Sequence, residues 1–224
     1  MAHLVETMAF AGATPWHKLG NSVSNDLTPE QMAIAAEINW SVEKLPDFQF
    51  WGGQYLPVPG KFNLTRTSDG KVLHVVGPLY TPVQNVEALK FFTEFITAGD
   101  MNMETAGSLA GGQRIWGLAS IQDGFTLAGG DRINGYLLLC SPHKQGEAFT
   151  IRFTTIRVVC NNTLTMALNG HSGATFRMSH ANRFDAAMQG QAKIALGLAK
   201  TRLHEFEEKA SFWPHPESAR ASTW

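Results

Sequence analysis

Cysteine is almost missing from this chain. Two thiols in 224 residues, Cys140 and Cys160, exclude a disulfide-stapled scaffold and a Cys-rich zinc site, and they suit a reducing compartment. Charge is scarce too: 17% of residues is a low share for a freely soluble monomer. Long apolar runs are missing. The most apolar ones, Tyr136 to Cys140 and Val158 to Cys160, fall far short of the ~20 residues a membrane helix needs. No basic stretch leads into an apolar one at the N-terminus, so no secretory signal is expected. The eight histidines never fall at His-x-His or His-x-x-x-His spacing. Ala110-Gly111-Gly112-Gln113 and Gly129-Gly130-Asp131 lack the lysine and serine of a nucleotide-binding loop and read as turns. The expectation is a cytoplasmic protein with no metal, no cofactor and no membrane partner.

Aromatic residues, by contrast, are plentiful. Six Trp and 14 Phe are more than one core of this size needs, and subunit contacts are where a surplus collects. The net charge of -1 hides a division. Residues 1 to 112 carry -5 and residues 113 to 224 carry +4. The segment Arg152 to Arg202 holds seven Lys/Arg against the single acid Asp185. Such local asymmetry points to a polyanionic partner, or to an acidic patch on a neighbouring subunit.

The periodicities predict an α+β fold: an antiparallel sheet built from hairpins, packed against helices, with a long C-terminal helix. Residues 1–26 read as an N-terminal arm, intersubunit in the ring-forming case, with Trp16 docked in a pocket either on its own body or on a neighbour. Residues 27–213 form a single domain and 214–224 a tail. Thr28-Pro29-Glu30 starts a helix running to Asn39. A strand is expected at Asp47 to Tyr55, with a break at Pro57-Val58-Pro59-Gly60. Ser68-Asp69-Gly70-Lys71 joins Phe62–Thr67 to Val72–Val76 as a hairpin. Val86 to Ala98 is the clearest helix of the first half, and Met101 to Leu109 reads as a short second one. Strands follow at Arg114–Ile121, Arg132–Ser141 and Ala148–Phe153, the last two joined by Pro142 to Glu147. Asn162 to Leu168 reads as a helical turn. The closing helix spans about Asn182 to Ala210, with Met188, Ala195, Ala199, Leu203 and Phe206 as its stripe.

Four stretches carry a resemblance: Met8-Ala9-Phe10 with Thr14-Pro15-Trp16-His17-Lys18-Leu19-Gly20; Tyr80-Thr81-Pro82-Val83-Gln84-Asn85; Thr155-Ile156-Arg157-Val158-Val159-Cys160-Asn161-Asn162-Thr163-Leu164; and Arg177-Met178-Ser179-His180. In these the chain resembles the DUF932 family and, within it, the phage/plasmid-like subgroup. The resemblance implies a gene carried by phages and other mobile elements in a bacterial host. It implies no activity and no catalytic residue. At the level of fold alone, a hairpin-rich sheet backed by helices resembles single-strand annealing proteins of the Rad52 type, which form rings and bind single-stranded DNA.

The candidate nucleic-acid-binding residues are Arg152, Arg157, Asn161, Arg177, Arg183, Lys193 and Lys200. Arginine offers rigid donors suited to phosphate, and asparagine reaches sugar or base edges. The alternative reading makes one of Arg152 and Arg157 a structural ion-pair partner and Asn161-Asn162 the cap of the following helix. Trp51, Tyr55, Phe62 and Tyr80 are candidates for base stacking. Cys160 reads as a small buried hydrophobe. Asp123, Asp131 and Glu147 with Lys144 have no nuclease-like spacing, and no catalytic residue is assigned. The expected function is a non-enzymatic single-stranded DNA-binding or annealing protein that acts in recombination as a homo-oligomer. The alternatives are a phage protein that binds a host protein and, behind it, a metal-dependent enzyme.

Overall fold

A computed structural model describes residues 3–121, 125–126, 132–170 and 175–196. In chain order these form β1 (Val5–Ala11), β2 (Asn21–Val23), α1 (Pro29–Ala35), β3 (Val42–Trp51), β4 (Gln54–Arg66), β5 (Val72–Val76), α2 (Asn85–Gly99), β6 (Met101–Leu109), β7 (Arg114–Ile121), β8 (Phe125–Thr126), β9 (Arg132–Ile133), β10 (Tyr136–Pro142), β11 (Phe149–Thr154), α3 (Asn161–Asn169), β12 (Thr175–Met178) and α4 (Ala186–Leu196). Seven strands make the main sheet in the order β12-β11-β10-β7-β6-β1-β2. All its pairs are antiparallel except β1 with β2. A second sheet has the order β3-β4-β5, and β8 pairs with β9. The α+β class with an antiparallel sheet and packed helices is therefore as expected.

Local chemistry explains most elements. Thr28 caps α1 through a reciprocal capping box with Gln31, and Pro29 opens the helix. Asp69-Gly70 turns β4 into β5, with Gly70 at φ +71°. The chain leaves α2 through Asp100 in the left-handed region. Asp185 starts α4 four residues later than expected, because its Oδ1 accepts from the Met188 N–H. That helix buries Ala192 and packs Met188 on the core, while Ala195 is exposed. Lys200, Arg202, Ala199, Leu203, Phe206, His171, Asp123, Gly129, Gly130 and Asp131 lie outside the described residues.

Several expectations are corrected. Met101–Leu109 is a strand, not a helix: it is buried on both faces between β1 and β7, so it carries no amphipathic signal. Its Gly107 lets the Trp116 ring and the Thr7 carbonyl approach where a Cβ would stand. The N-terminal segment holds β1, which lies inside the sheet between β6 and β2 and has buried Met8–Ala11. Trp16 is exposed on its own chain, so it docks in no pocket of its own body; there it is His17 that anchors, with Nε2 2.8 Å from the Val159 carbonyl. Pro57–Gly60 interrupts the pairing without ending the strand: β4 continues, but Gly60 is at φ +69° and the β3–β4 register shifts there, Phe48 facing Pro57 while Pro46 faces Phe62. The chain turns earlier, at Gly52-Gly53, both at positive φ. The cap of α3 is Cys160, one residue before Asn161, where the Thr163 hydroxyl accepts from the Val159 and Cys160 N–H groups.

Side-chain alternation sends the main sheet's apolar residues to two cores. On one face Ala106, Ile115, Leu137, Leu139, Phe149 and Ile151 meet α1, α2, α4 and the inner side of the β3-β4-β5 sheet. On the other, Met8, Phe10, Trp116, Leu118, Leu138 and Cys140 are covered by Val158, Val159 and α3. Trp116 Nε1 donates to Thr105 Oγ1, and that hydroxyl donates to the Val158 carbonyl at 2.7 Å, tying sheet to cover.

Candidate anion-binding cleft

The second face is covered only as far as α3 reaches. Beyond it, toward edge strand β12, sheet and helix part to leave a cleft of roughly 460 Å³. Its floor is the side of β7, β10, β11 and β12 that presents Arg114, Thr150, Arg152, Thr175 and Arg177. One wall is α3, through Leu164, Thr165 and Leu168; another is the β10–β11 turn, through Gly146 and Glu147.

Each charged group is positioned by its element. Thr150 pairs with Arg177 and Arg152 with Thr175, so the two arginines are diagonal neighbours on one face. Arg152 is buried. Its Nη1 and Nη2 donate to the Leu168 and Gly170 carbonyls at 2.5 and 2.7 Å, closing the carbonyl end of α3, where a cation is favoured. Burial and the like charge of Arg177 both lower its proton affinity. Arg177 is exposed on the edge strand. Arg114 grips Glu147 with two bonds, at 2.7 and 2.5 Å, and its Nη1 donates to Asn161 Oδ1 at 3.1 Å. Lys144 Nζ lies 3.4 Å from the same carboxylate. Burial would raise the Glu147 pKa, but Arg114 and Lys144 outweigh it and keep the group below its usual value. Cys140, in the floor, is pushed up to about 12 by burial and stays a neutral thiol.

The cleft thus collects Arg114, Arg152 and Arg177, with Lys144 beside it, around the one carboxylate of Glu147. It is an excess of fixed donors in a concave, partly desolvated place, which suits an anion. Phosphate and sulfate oxygens accept from such donors. Among the described residues no group of three His, Cys, Asp or Glu side chains is placed to hold a metal. Nor is any described helix long and apolar enough to cross a membrane.

The structure divides the sequence-derived set. Arg152, Asn161 and Arg177 come together at the cleft. Arg157 lies elsewhere: the chain bends out of the sheet after Thr154, and Arg157 Nε pairs with Glu104 at 2.6 Å while Nη2 donates to the Ala11 carbonyl. Lys193 stands in the helix layer of the opposite face, where its Nζ meets Glu94 of α2 at 2.5 Å. Arg183 is exposed between β12 and α4. Of the stacking candidates, Tyr80 is buried with its hydroxyl on the Pro142 carbonyl, and Phe62 lies under Lys44. Trp51 and Tyr55 are exposed. Arg114 is the residue the sequence reading missed. It sits 38 positions before the basic segment begins, and only the sheet brings it there.

Residues 72–219 match the model of a family described as "Domain of unknown function (DUF932)", well over half of the chain and the whole of the cleft. No curated protein and no solved structure matches the chain.

Proposed function

The chain belongs to the DUF932 family, and from there we propose that it is a non-enzymatic protein that grips single-stranded DNA by its phosphates in the arginine cleft. It acts as an assembly of several copies, in recombination of a phage or other mobile element within a bacterial cytoplasm. The observation that carries this reading is the grouping of Arg114, Arg152 and Arg177 in one cleft that opens at a sheet edge. An edge opening lets a strand pass, whereas a closed pocket would hold a single small ligand. A phosphate would bridge Arg152 and Arg177, relieve their mutual repulsion, and take donors now shared with Glu147. A Rad52-type annealing role belongs to the same proposal, with pairing of complementary strands following binding.

The test is titration of the full chain with a labelled single-stranded oligonucleotide at two salt concentrations. Affinity should fall as salt rises, with a log–log slope of about -0.7 per phosphate engaged. Arg177→Glu, which disturbs no described partner, should weaken binding at least ~10-fold and flatten that slope. No affinity at low salt, or affinity indifferent to Arg177→Glu, rejects the reading.

A further inference from the structure

Outside the lining of the cleft, the β3–β4 hairpin outruns its sheet. Strand β5 pairs with β4 only from Phe62 to Thr65. The distal part, with Phe48 opposite Pro57, Gln49 opposite Leu56, Phe50 opposite Tyr55 and Trp51 opposite Gln54, is a two-stranded arm exposed on both faces. Phe48 is 52% exposed, Phe50 65%, Trp51 73% and Tyr55 75%. A lone hairpin is marginal in water, and an apolar patch of this kind marks a contact surface.

We propose that this arm joins two copies of the chain edge to edge through β3, around a two-fold axis at Gln49. This deepens the assembly part of the reading above and uses none of its cleft residues.

Charge narrows the partner. Between residues 45 and 60 the only charged group is Asp47, and its Oδ1 is taken by the Phe48 N–H and Asn63 Nδ2. A strand-stacking arm needs cations beside its rings, and the arm's own stretch has none; at its base Lys44 is held by the Pro78 and Tyr80 carbonyls and sits over Phe62, which leaves Lys61 as a sparse flank for an anionic membrane. Depletion of charge with enrichment of aromatics is instead the composition of a protein interface core.

The backbone then selects the edge. A two-residue turn at Gly52-Gly53 makes Trp51 and Gln54 the closing hydrogen-bonded pair. Backbone groups alternate from there, so those of Phe48 and Phe50 face away from β4. The outward positions on β4 are Tyr55 and Pro57, and Pro57 has no N–H, so that edge is the poorer template. No strand lies beyond β3 in its sheet among the described residues. Nearer the body, Gln84 already covers the outward N–H and carbonyl of Val42, and Pro46 has no N–H to offer. The open groups are therefore the Phe48 carbonyl and both backbone groups of Phe50, the Phe48 N–H being held by Asp47 Oδ1, and they are self-complementary: the Phe50 N–H of each copy meets the Phe48 carbonyl of the other. Such an isologous contact closes on itself.

Solution mass of the full chain, by light scattering or sedimentation, is the test. The wild type should weigh at least twice its 24.5 kDa. Phe48→Lys with Phe50→Lys should bring it down to the monomer with little change in Tm, since neither side chain is in a core. As a second variant that keeps the arm's rings, Gln49→Cys should form a disulfide-linked dimer on oxidation. Residues opposite each other at a non-hydrogen-bonded site lie about 4.5 Å apart at Cα, within disulfide range, and the native thiols are buried. A monomeric wild type at ~100 µM, far above the micromolar range expected of a specific interface, overturns the proposal. So does a double-lysine variant of wild-type mass, absence of the cross-link, or an arm that proves to bind vesicles or a host protein as a monomer. Arg177→Glu should leave the mass untouched, which separates failure of this contact from failure of the DNA reading.

Discussion

Arg152 and Arg177 sit on one face of adjacent strands but do different work. Arg152 closes α3, so Arg152→Met removes two hydrogen bonds from helix-end carbonyls and should cost about 1–3 kcal/mol in a denaturant titration. Arg177 holds no described element in place, and its replacement should leave the midpoint almost where it was. Glu147 is the third informative residue. Its carboxylate occupies Arg114 and Lys144 much as a phosphate group would. Glu147→Gln should therefore raise affinity for inorganic phosphate or an oligonucleotide several-fold, read by titration calorimetry. A fall in affinity would mean that Glu147 orients Arg114 rather than competing for it.

At the level of elements, β6 is the most constrained strand. A methyl group at Gly107 would overlap the Trp116 ring and the rigid Thr7 carbonyl. Gly107→Ala should destabilise by about 1–3 kcal/mol, measured as a fall in the unfolding midpoint. The same strand explains where sequence reading stopped. Hairpins with a turn signal between them, such as β4–β5 and β10–β11, were legible because Asp69-Gly70 and Pro142–Glu147 mark their ends. Helices α1 and α2 were legible from a cap and a periodic stripe. Strand β6 was not, because burial on both faces erases alternation and Met, Glu and Ala favour a helix. Strand β1 was hidden because its partner, β6, is about a hundred residues away. For the cleft, the basic segment gave Arg152 and Arg177 but not Arg114 or the part played by Glu147. Those depend on which strands are neighbours, and local periodicity carries no strand order.

The whole molecule should be sensitive to acid through one buried ring. His143 is fully buried against Trp40, with Nε2 2.7 Å from the carboxamide oxygen of Asn85. The Asn85 amide is committed to the Ile38 and Trp40 carbonyls, so the histidine nitrogen is the donor. Burial, and then the proximity of His180, push its pKa down to about 3 from 6.5. Burial lowers His180 as well. The unfolded chain takes up a proton near pH 6.5 that the folded protein refuses. The contribution is thus complete above that pH and is lost progressively as pH falls toward 3. Tm should be flat from pH 8 to 7 and decline below 6.5, with a shallower decline in His143→Asn.

The placement of β1 carries a consequence in time. It precedes every other described strand in the chain, yet its antiparallel ladder is with β6, Ala9 meeting Ala106. Residues of β6 leave the ribosome only after all of β1–β5 and α2. At roughly 5–20 residues per second, Met8-Ala9-Phe10 waits on the order of ten seconds with only the three-residue β2 to pair with, Ala9 beside Asn21 and Phe10 beside Ser22. The hairpins β6–β7 and β10–β11 need no such wait. The sheet should therefore assemble from its later strands, with the N-terminal strand adding to a prepared edge. Until then, β1 is the described strand most open to pairing with a neighbour.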